Sequence, residues 1–356
     1  MSALLHAPAV GSLYNSSKLK SKPSVTSRSS SSSSSSNSMT SPAVRIAVVG
    51  DVHDHWNLEE DTKALQLLKV RAIHYSGDFG NENVELVRSI TDLTFTKAVI
   101  LGNHDAWNTQ EFRKKKKDGV QLQLEFLGED HVGYRRLDFP SLKLSVVGGR
   151  PFSCGGEKLF RKRLLAQRYG VEDMSVSAKR IYRAALDTPE DHVIVFLAHN
   201  GPTGLGSESS DICGKDWVIG AAGDHGDPDL AQAISQLKEA TNFSIPLVVF
   251  GHMHKELAHG NGLRKMIAFG PDNIIYLNGA VVPRVKTLVD QEVTAGKSIK
   301  NHEASYAHPE SVGTRRAFTL IEILDGKVGK IAETWVAVIG DNTILAEEHL
   351  LYKYDI

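Results

Sequence analysis

The sequence predicts an α/β fold: two mixed sheets packed face to face, with helices on the outer faces. Three observations carry that expectation. Short β-branched runs alternate with amphipathic stretches through residues 44–102. Further apolar runs recur at 142–149, 192–199 and 246–252. The last third of the chain turns to strands joined by tight turns such as Asp325-Gly326-Lys327. The alternation calls for parallel strands, because an intervening helix carries the chain back to the edge at which the previous strand began. The late strands are expected to be mixed or antiparallel.

Taken in order, VRIAVVG (44–50) is short, apolar and β-branched, the pattern of a buried strand. Residues 59–70 repeat apolar side chains at helical spacing through Ala64, Leu65 and Leu68. RAIHYSG (71–77) reads as a second strand, 83–93 as a helix and KAVILG (97–102) as a third strand. A charged helix containing RKKKK (113–117) is expected next, with the run on its solvated face. Strands follow at 142–149, 192–199 and 246–252, and helices at 158–169, 175–186 and 228–240. Late strands are expected at 273–285, 317–324 and 331–338. The polar stretch 286–316 interrupts them and reads as a mobile insertion within a domain spanning 42–356. GDHGDPDL (223–230) reads first as a turn with an Asp cap and a proline at the helix start.

Composition narrows the classes. No run of about eighteen apolar residues is present, so no membrane span is expected. A formal charge of −1 offers no broad nucleic-acid footprint. Two cysteines, Cys154 and Cys213, supply neither a disulfide framework nor a cysteine-rich zinc module. Oligomeric state leaves no trace in the pattern. Residues 1–41 differ from the rest: they are rich in serine, carry Lys18, Lys20, Lys22 and Arg28, and contain no acid, the first being Asp51. That composition is expected of a transit peptide, with chloroplast preferred and mitochondrion or cytoplasm as alternatives. Its removal would take the 41 basic residues to 37 against 42 acidic, a net of −5.

Five apolar runs end in the same way. Gly50 leads into Asp51 and His53, Gly77 into Asp78 and Asn81, and Gly102 into Asn103 and His104; Ala198 leads into His199 and Asn200, and Gly251 into His252 and His254. In an α/β sheet the carboxyl ends of parallel strands share one edge, so residues two hundred positions apart can converge there. Imidazoles, carboxylates and an amide oxygen suit divalent metals such as Mn, Fe, Zn or Mg. Asp51, His53, Asp78, Asn103, His199, His252 and His254 are too many donors for one ion. Two ions sharing a carboxylate account for them. Singly, each is as readily a cap or turn residue; five strand ends together are not.

GDVHDHW, GDFGNE, GNHD, AHNG and GHMH, in this order, resemble the motif set of the calcineurin-like metallophosphoesterases over residues 45–285, with wording most similar to a cyanobacterial and plant branch. The resemblance implies a four-layer αββα sandwich. It also implies roles: Asp51, His53 and His254 on one metal, Asn103, His199 and His252 on the other, and Asp78 between them. His104 would act on substrate as acid or phosphate stabiliser, and a hydroxide bridging the metals would attack a phosphomonoester or phosphodiester. Asn81 stands where the family often has Asp, Glu82 where protein phosphatases have a phosphate-binding Arg, and Asp105 where those enzymes prefer Glu. A general phosphoesterase acting on a small phosphorylated substrate is therefore expected over a phosphoprotein phosphatase. A non-catalytic scaffold for protein partners is the alternative from another class. Arg150, Arg284 and Asn200 are candidate contacts to substrate phosphate.

Overall fold

A computed structural model describes residues 43–113, 116–218, 222–260, 262–288 and 313–354. The opening alternation becomes β1 (Val44–Val49), α1 (Leu58–Leu68), β2 (Ala72–Tyr75), α2 (Val84–Thr91) and β3 (Thr96–Val99). Asn57 starts α1 by accepting the Glu60 N–H at 3.0 Å, and three acids in its first turn favour the positive end of the helix dipole. Ala64, Leu65 and Leu68 form its buried face, as the spacing predicts.

The chain continues through α3 (Gly119–Leu127), β4 (Arg136–Phe139), β5 (Leu144–Gly148), α4 (Lys162–Tyr169), α5 (Met174–Leu186), β6 (Val193–Leu197), α6 (Pro228–Ala240), β7 (Leu247–Phe250), β8 (Ile267–Phe269), β9 (Ile275–Asn278) and β10 (Val285–Thr287). It closes with β11 (Thr314–Leu324), β12 (Lys327–Ile339) and β13 (Asn342–Lys353). The described residues of the basic run, Arg113, Lys116 and Lys117, are not on a helix. Asp118 and Gln121 form a capping box that starts α3 only at Gly119, leaving Arg113, Lys116 and Lys117 before it. The insertion expected at 286–316 falls mostly on residues outside those described. Its two flanks are paired strand, Val285–Thr287 against Thr314–Arg316.

Two mixed sheets result. The first has the order β13-β12-β11-β1-β2-β3, with β10 also on β11; the second runs β4-β5-β6-β7-β9-β8. β1, β2 and β3 are mutually parallel, as are β5, β6, β7 and β9. The parallel portion thus spans both sheets rather than only the first half of the chain. Alternate side chains divide each strand between two cores. Ile46, Val48, Ala72, Ala98, Val195, Leu197, Val249 and Leu277 share one cluster, drawn from both sheets, which lies between them. Ala47, Val49, Ile73 and Tyr75 face the other way and pack with Ala64 and Leu65 of α1. The architecture is the αββα sandwich. No described helix is long and apolar enough to cross a membrane.

Candidate metal centre

β1, β2 and β3 from one sheet and β6 and β7 from the other end at a common edge, and the loops leaving them are laced together. Asp51 N–H donates to the Gly77 carbonyl at 3.1 Å, His53 N–H to Asp78 at 2.9 Å, and Gly251 N–H to His199 at 2.8 Å. The glycines before the ligands have a steric reason. A Cβ on Gly102 would lie 2.2 Å from Asp78 Oδ1 and 2.5 Å from the His199 ring; one on Gly251 would lie 2.2 Å from Asp51 Oδ2. Asp51, His53, Asp78 and His252 themselves adopt positive φ, rare for residues with a Cβ and commonest at functional sites.

Three groups of donor atoms lie mutually within 4.8 Å: Asp51, His53 and His254; Asp78, His199 and His252; and His53, Asp78 and His104. Asn103 joins through its Oδ1, 2.9 Å from His199 Nε2. The structure therefore brings together all seven residues singled out as ligands, and His104 with them. His53 Nε2 and His254 Nε2 face each other at 3.0 Å. Asp51 Oδ2 accepts the His252 N–H at 2.9 Å, whereas the buried Oδ1 has no hydrogen-bond partner. A buried, unpartnered carboxylate oxygen beside two imidazole nitrogens fits a bound cation. His199 Nδ1 donates to the Ser76 carbonyl at 2.6 Å, which turns Nε2 toward Asp78 and Asn103.

The electrostatics fit as well. Burial alone would raise the Asp51 carboxyl, but the His254 imidazole 3.5 Å away and the charge of His199 hold it below its ordinary value. Asp78, likewise buried, is held low by His199. Burial would lower His199, yet Asp78 and Asp51 push it up to about 10. Burial and the neighbouring His199 take His252 down to about 3, leaving it a neutral imidazole ready to donate its lone pair.

His104 Nδ1 lies 2.7 Å from Asn81 Oδ1, so Nδ1–H donates and Nε2 is left to face the site. Its neighbour Asp105, noticed in the sequence only as a departure, is a buried anchor. Its carboxylate accepts the N–H groups of Asp78 and Phe79, both at 2.9 Å, and of Gly102 at 2.7 Å, locking the second and third motifs together. Its signal was the acid directly after two site residues.

The three candidate phosphate contacts are placed differently. Arg150 is buried and donates to Asp227 at 2.7 Å and Asp229 at 2.9 Å. Arg284 is buried against Asp61 at 2.6 Å and the His55 carbonyl at 2.6 Å. Asn200 is fully buried, its amide donating to the His225 carbonyl at 2.8 Å. All three are committed to buried partners, and none offers its group to solvent.

The family model for calcineurin-like phosphoesterases matches residues 44–256, a span that contains every one of these ligand positions. The chain belongs to that family. Among solved structures, this calcineurin-like phosphoesterase is similar to a dimetal phosphatase from Danio rerio, at 8% identity, with 88% of this chain and 100% of that one covered and a TM-score of 0.40. It is also similar to GAP50, described as the anchor in the inner membrane complex of Plasmodium, at 13% identity, with 88% and 90% covered and a TM-score of 0.38. No curated protein sequence matches it.

Proposed function

We propose that the protein hydrolyses a phosphate ester, mono- or diester, with two divalent ions of the Mn, Fe, Zn or Mg type. One observation carries the reading: donor atoms of Asp78 lie within 4.8 Å of ligand atoms from His199 and His252 on one side and His53 on the other. A carboxylate so placed suits a shared ligand. Asp51, His53 and His254 would hold one ion, and Asn103, His199 and His252 the second. Such a pair supplies positive charge to the phosphate oxygens and acidifies the attacking water.

The remaining work falls to His104. With Nδ1 tied to Asn81, its Nε2 is the atom able to deliver a proton to the departing oxygen. Replacing His104 with alanine should leave metal content intact and cost about 10²–10⁴ in turnover of esters with poor leaving groups. The deciding experiment is a panel of phosphomonoesters, phosphodiesters, nucleotides and phosphopeptides, assayed with Mn²⁺ and again with chelator. A folded, metal-loaded protein inert on all of them would favour the scaffold reading instead. The acid-free, serine-rich leader supports a chloroplast address, and the motif wording supports the cyanobacterial and plant branch. Exclusion of a fluorescent fusion of residues 1–60 from plastids would overturn that address.

A further inference from the structure

The turn after the third motif holds an unusual pair. The indole of Trp107 lies parallel to the His104 imidazole, with ring centroids 4.7 Å apart and planes 7° from parallel. Trp107 is nonetheless 47% exposed. A tryptophan that served only to bury apolar area would turn inward. This one spends a ring face on His104.

The hydrogen bond to Asn81 fixes the distance of Nδ1 but leaves the imidazole free to tilt about the Nδ1···O axis. Asn81 is a neutral amide and cannot hold the ring by charge as a carboxylate would. The edge contact with the His53 ring, at 5.1 Å and 90°, constrains one side only. A parallel aromatic plane removes the remaining tilt.

The backbone that carries the indole is itself held. The Trp107 backbone N–H donates to the His104 carbonyl at 3.1 Å. Arg161 donates to the Ala106 carbonyl at 2.7 Å and also to that of Trp107. The same guanidinium lies 4.3 Å from the centroid of the Phe160 ring, which also meets the indole. From the other side Glu82 accepts the Asn108 N–H at 2.7 Å and the Thr109 N–H, while its own N–H donates to the His104 carbonyl at 3.0 Å. The turn His104–Thr109 is clamped between a carboxylate and a guanidinium. Neither clamp is hydrogen-bonded to the side chain of a candidate ligand.

We infer that Trp107 is a positioning residue, held by Glu82 and Arg161, that fixes the plane of His104 so that its Nε2 points at the leaving group. The inference rests on the phosphoesterase reading and adds a residue to it.

The test compares wild type, Trp107→Leu, Trp107→Phe, His104→Ala and the Trp107→Leu/His104→Ala double variant on two esters. One has a good leaving group, such as p-nitrophenol, and one a poor leaving group, such as an alkyl alcohol. Trp107→Leu should lower kcat about 10–100-fold on the poor leaving group, with KM and metal content little changed. On the good leaving group the loss should be under about threefold, because little proton delivery is needed there. Trp107→Phe should restore most of the rate, and the double variant should be no slower than His104→Ala alone. Equal losses on both esters, a change confined to KM, or additive losses in the double variant would each overturn the assignment. A structural readout stands apart from activity: crystal structures of metal-loaded wild type and Trp107→Leu should show the His104 ring tilted about its hydrogen bond to Asn81 only in the variant. If the wild type turns over no ester, the phosphoesterase reading fails. If it turns over both and the His104 ring is unmoved in Trp107→Leu, the positioning role alone fails.

Discussion

His74 offers a prediction whose size follows from its surroundings. It sits on β2, in register with Val48 and Ala98, both members of the cluster between the sheets. It is fully buried, and neither ring nitrogen has a hydrogen-bond partner. Burial alone takes its pKa from 6.5 down to about 4. The folded protein therefore resists protonating a group that the unfolded chain protonates readily. The penalty is absent above pH 6.5, grows as the pH falls, and levels off below about pH 4. With each pKa unit equal to 1.36 kcal/mol, it amounts to about 3 kcal/mol, most of it present by pH 4.5. His74→Leu, close in volume, removes it. At pH 7.5 the variant should already be more stable by about 1–3 kcal/mol, because a buried unpaired donor and acceptor are gone. Urea melts of the two proteins in chelator, from pH 7.5 to 4.5, measure the gap; acid effects on the metal ligands are common to both and cancel. A gap that stays constant over this range, or a variant weaker at pH 7.5, would refute the reasoning.

Other consequences can be measured directly. Gly102→Ala would drive a methyl group into Asp78 Oδ1 and the His199 ring, so metal content by elemental analysis should fall to a small fraction of wild type while the fold survives by circular dichroism; full loading would show that the close approach is relieved elsewhere. Because His199 carries a proton until about pH 10 in the metal-free protein, metal must displace it, and apparent affinity should rise about tenfold per pH unit between pH 6.5 and 9. Calorimetry in buffers of different ionisation enthalpy should register the released proton, and its absence counts against the His199–Asp78 pair. Arg150→Met strands Asp227 and Asp229 without a counter-charge and should cost about 3–5 kcal/mol. The loss should grow from pH 5 to pH 8, since a carboxyl raised in the folded state, as Asp227 already is at about 7, weakens the fold as pH rises. Thermal melts that worsen toward acid instead would reverse that assignment.

The sequence announced the ligand edge because each ending combined two local signals, a β-branched run and a glycine followed by a donor. It could not announce partners set by topology. Arg150 and Arg284 look like any arginine after a strand; what removes them from solvent is Asp227, Asp229 and Asp61, lying 77, 79 and 223 residues away along the chain. β13 escaped for the opposite reason. It is an edge strand on which Ile344, Leu345 and Leu350 stay 57%, 54% and 55% exposed, so NTILAEEHLLYK shows no inside-outside alternation. The basic run at 113–117 passed for a helix because helical propensity says nothing of where a cap will fall, and Asp118 placed that cap after it. Trp107 carried no signal at all, since its meaning lies in the plane of a neighbouring ring.

The glycines at the strand ends explain more than local clearance. The space above Gly251, in the second sheet, is filled by the carboxylate of Asp51 from the first; the space above Gly102, in the first, is shared by Asp78 of its own sheet and the imidazole of His199 from the second. Each sheet lends a ligand to a hollow in the other. The relative position of the two sheets and the spacing of the ligands are then one geometric variable, not two. Left-handed backbone at Asp51, His53, Asp78 and His252 costs on the order of 1–3 kcal/mol per residue where it is strained. What offsets it is the lacing between loops, the three N–H groups gathered by Asp105, and the apolar layer between the sheets that fixes where each strand stops. A centre built this way is preorganised by the fold, so substitutions that shift the sheets against each other should disturb metal binding even when they touch no ligand.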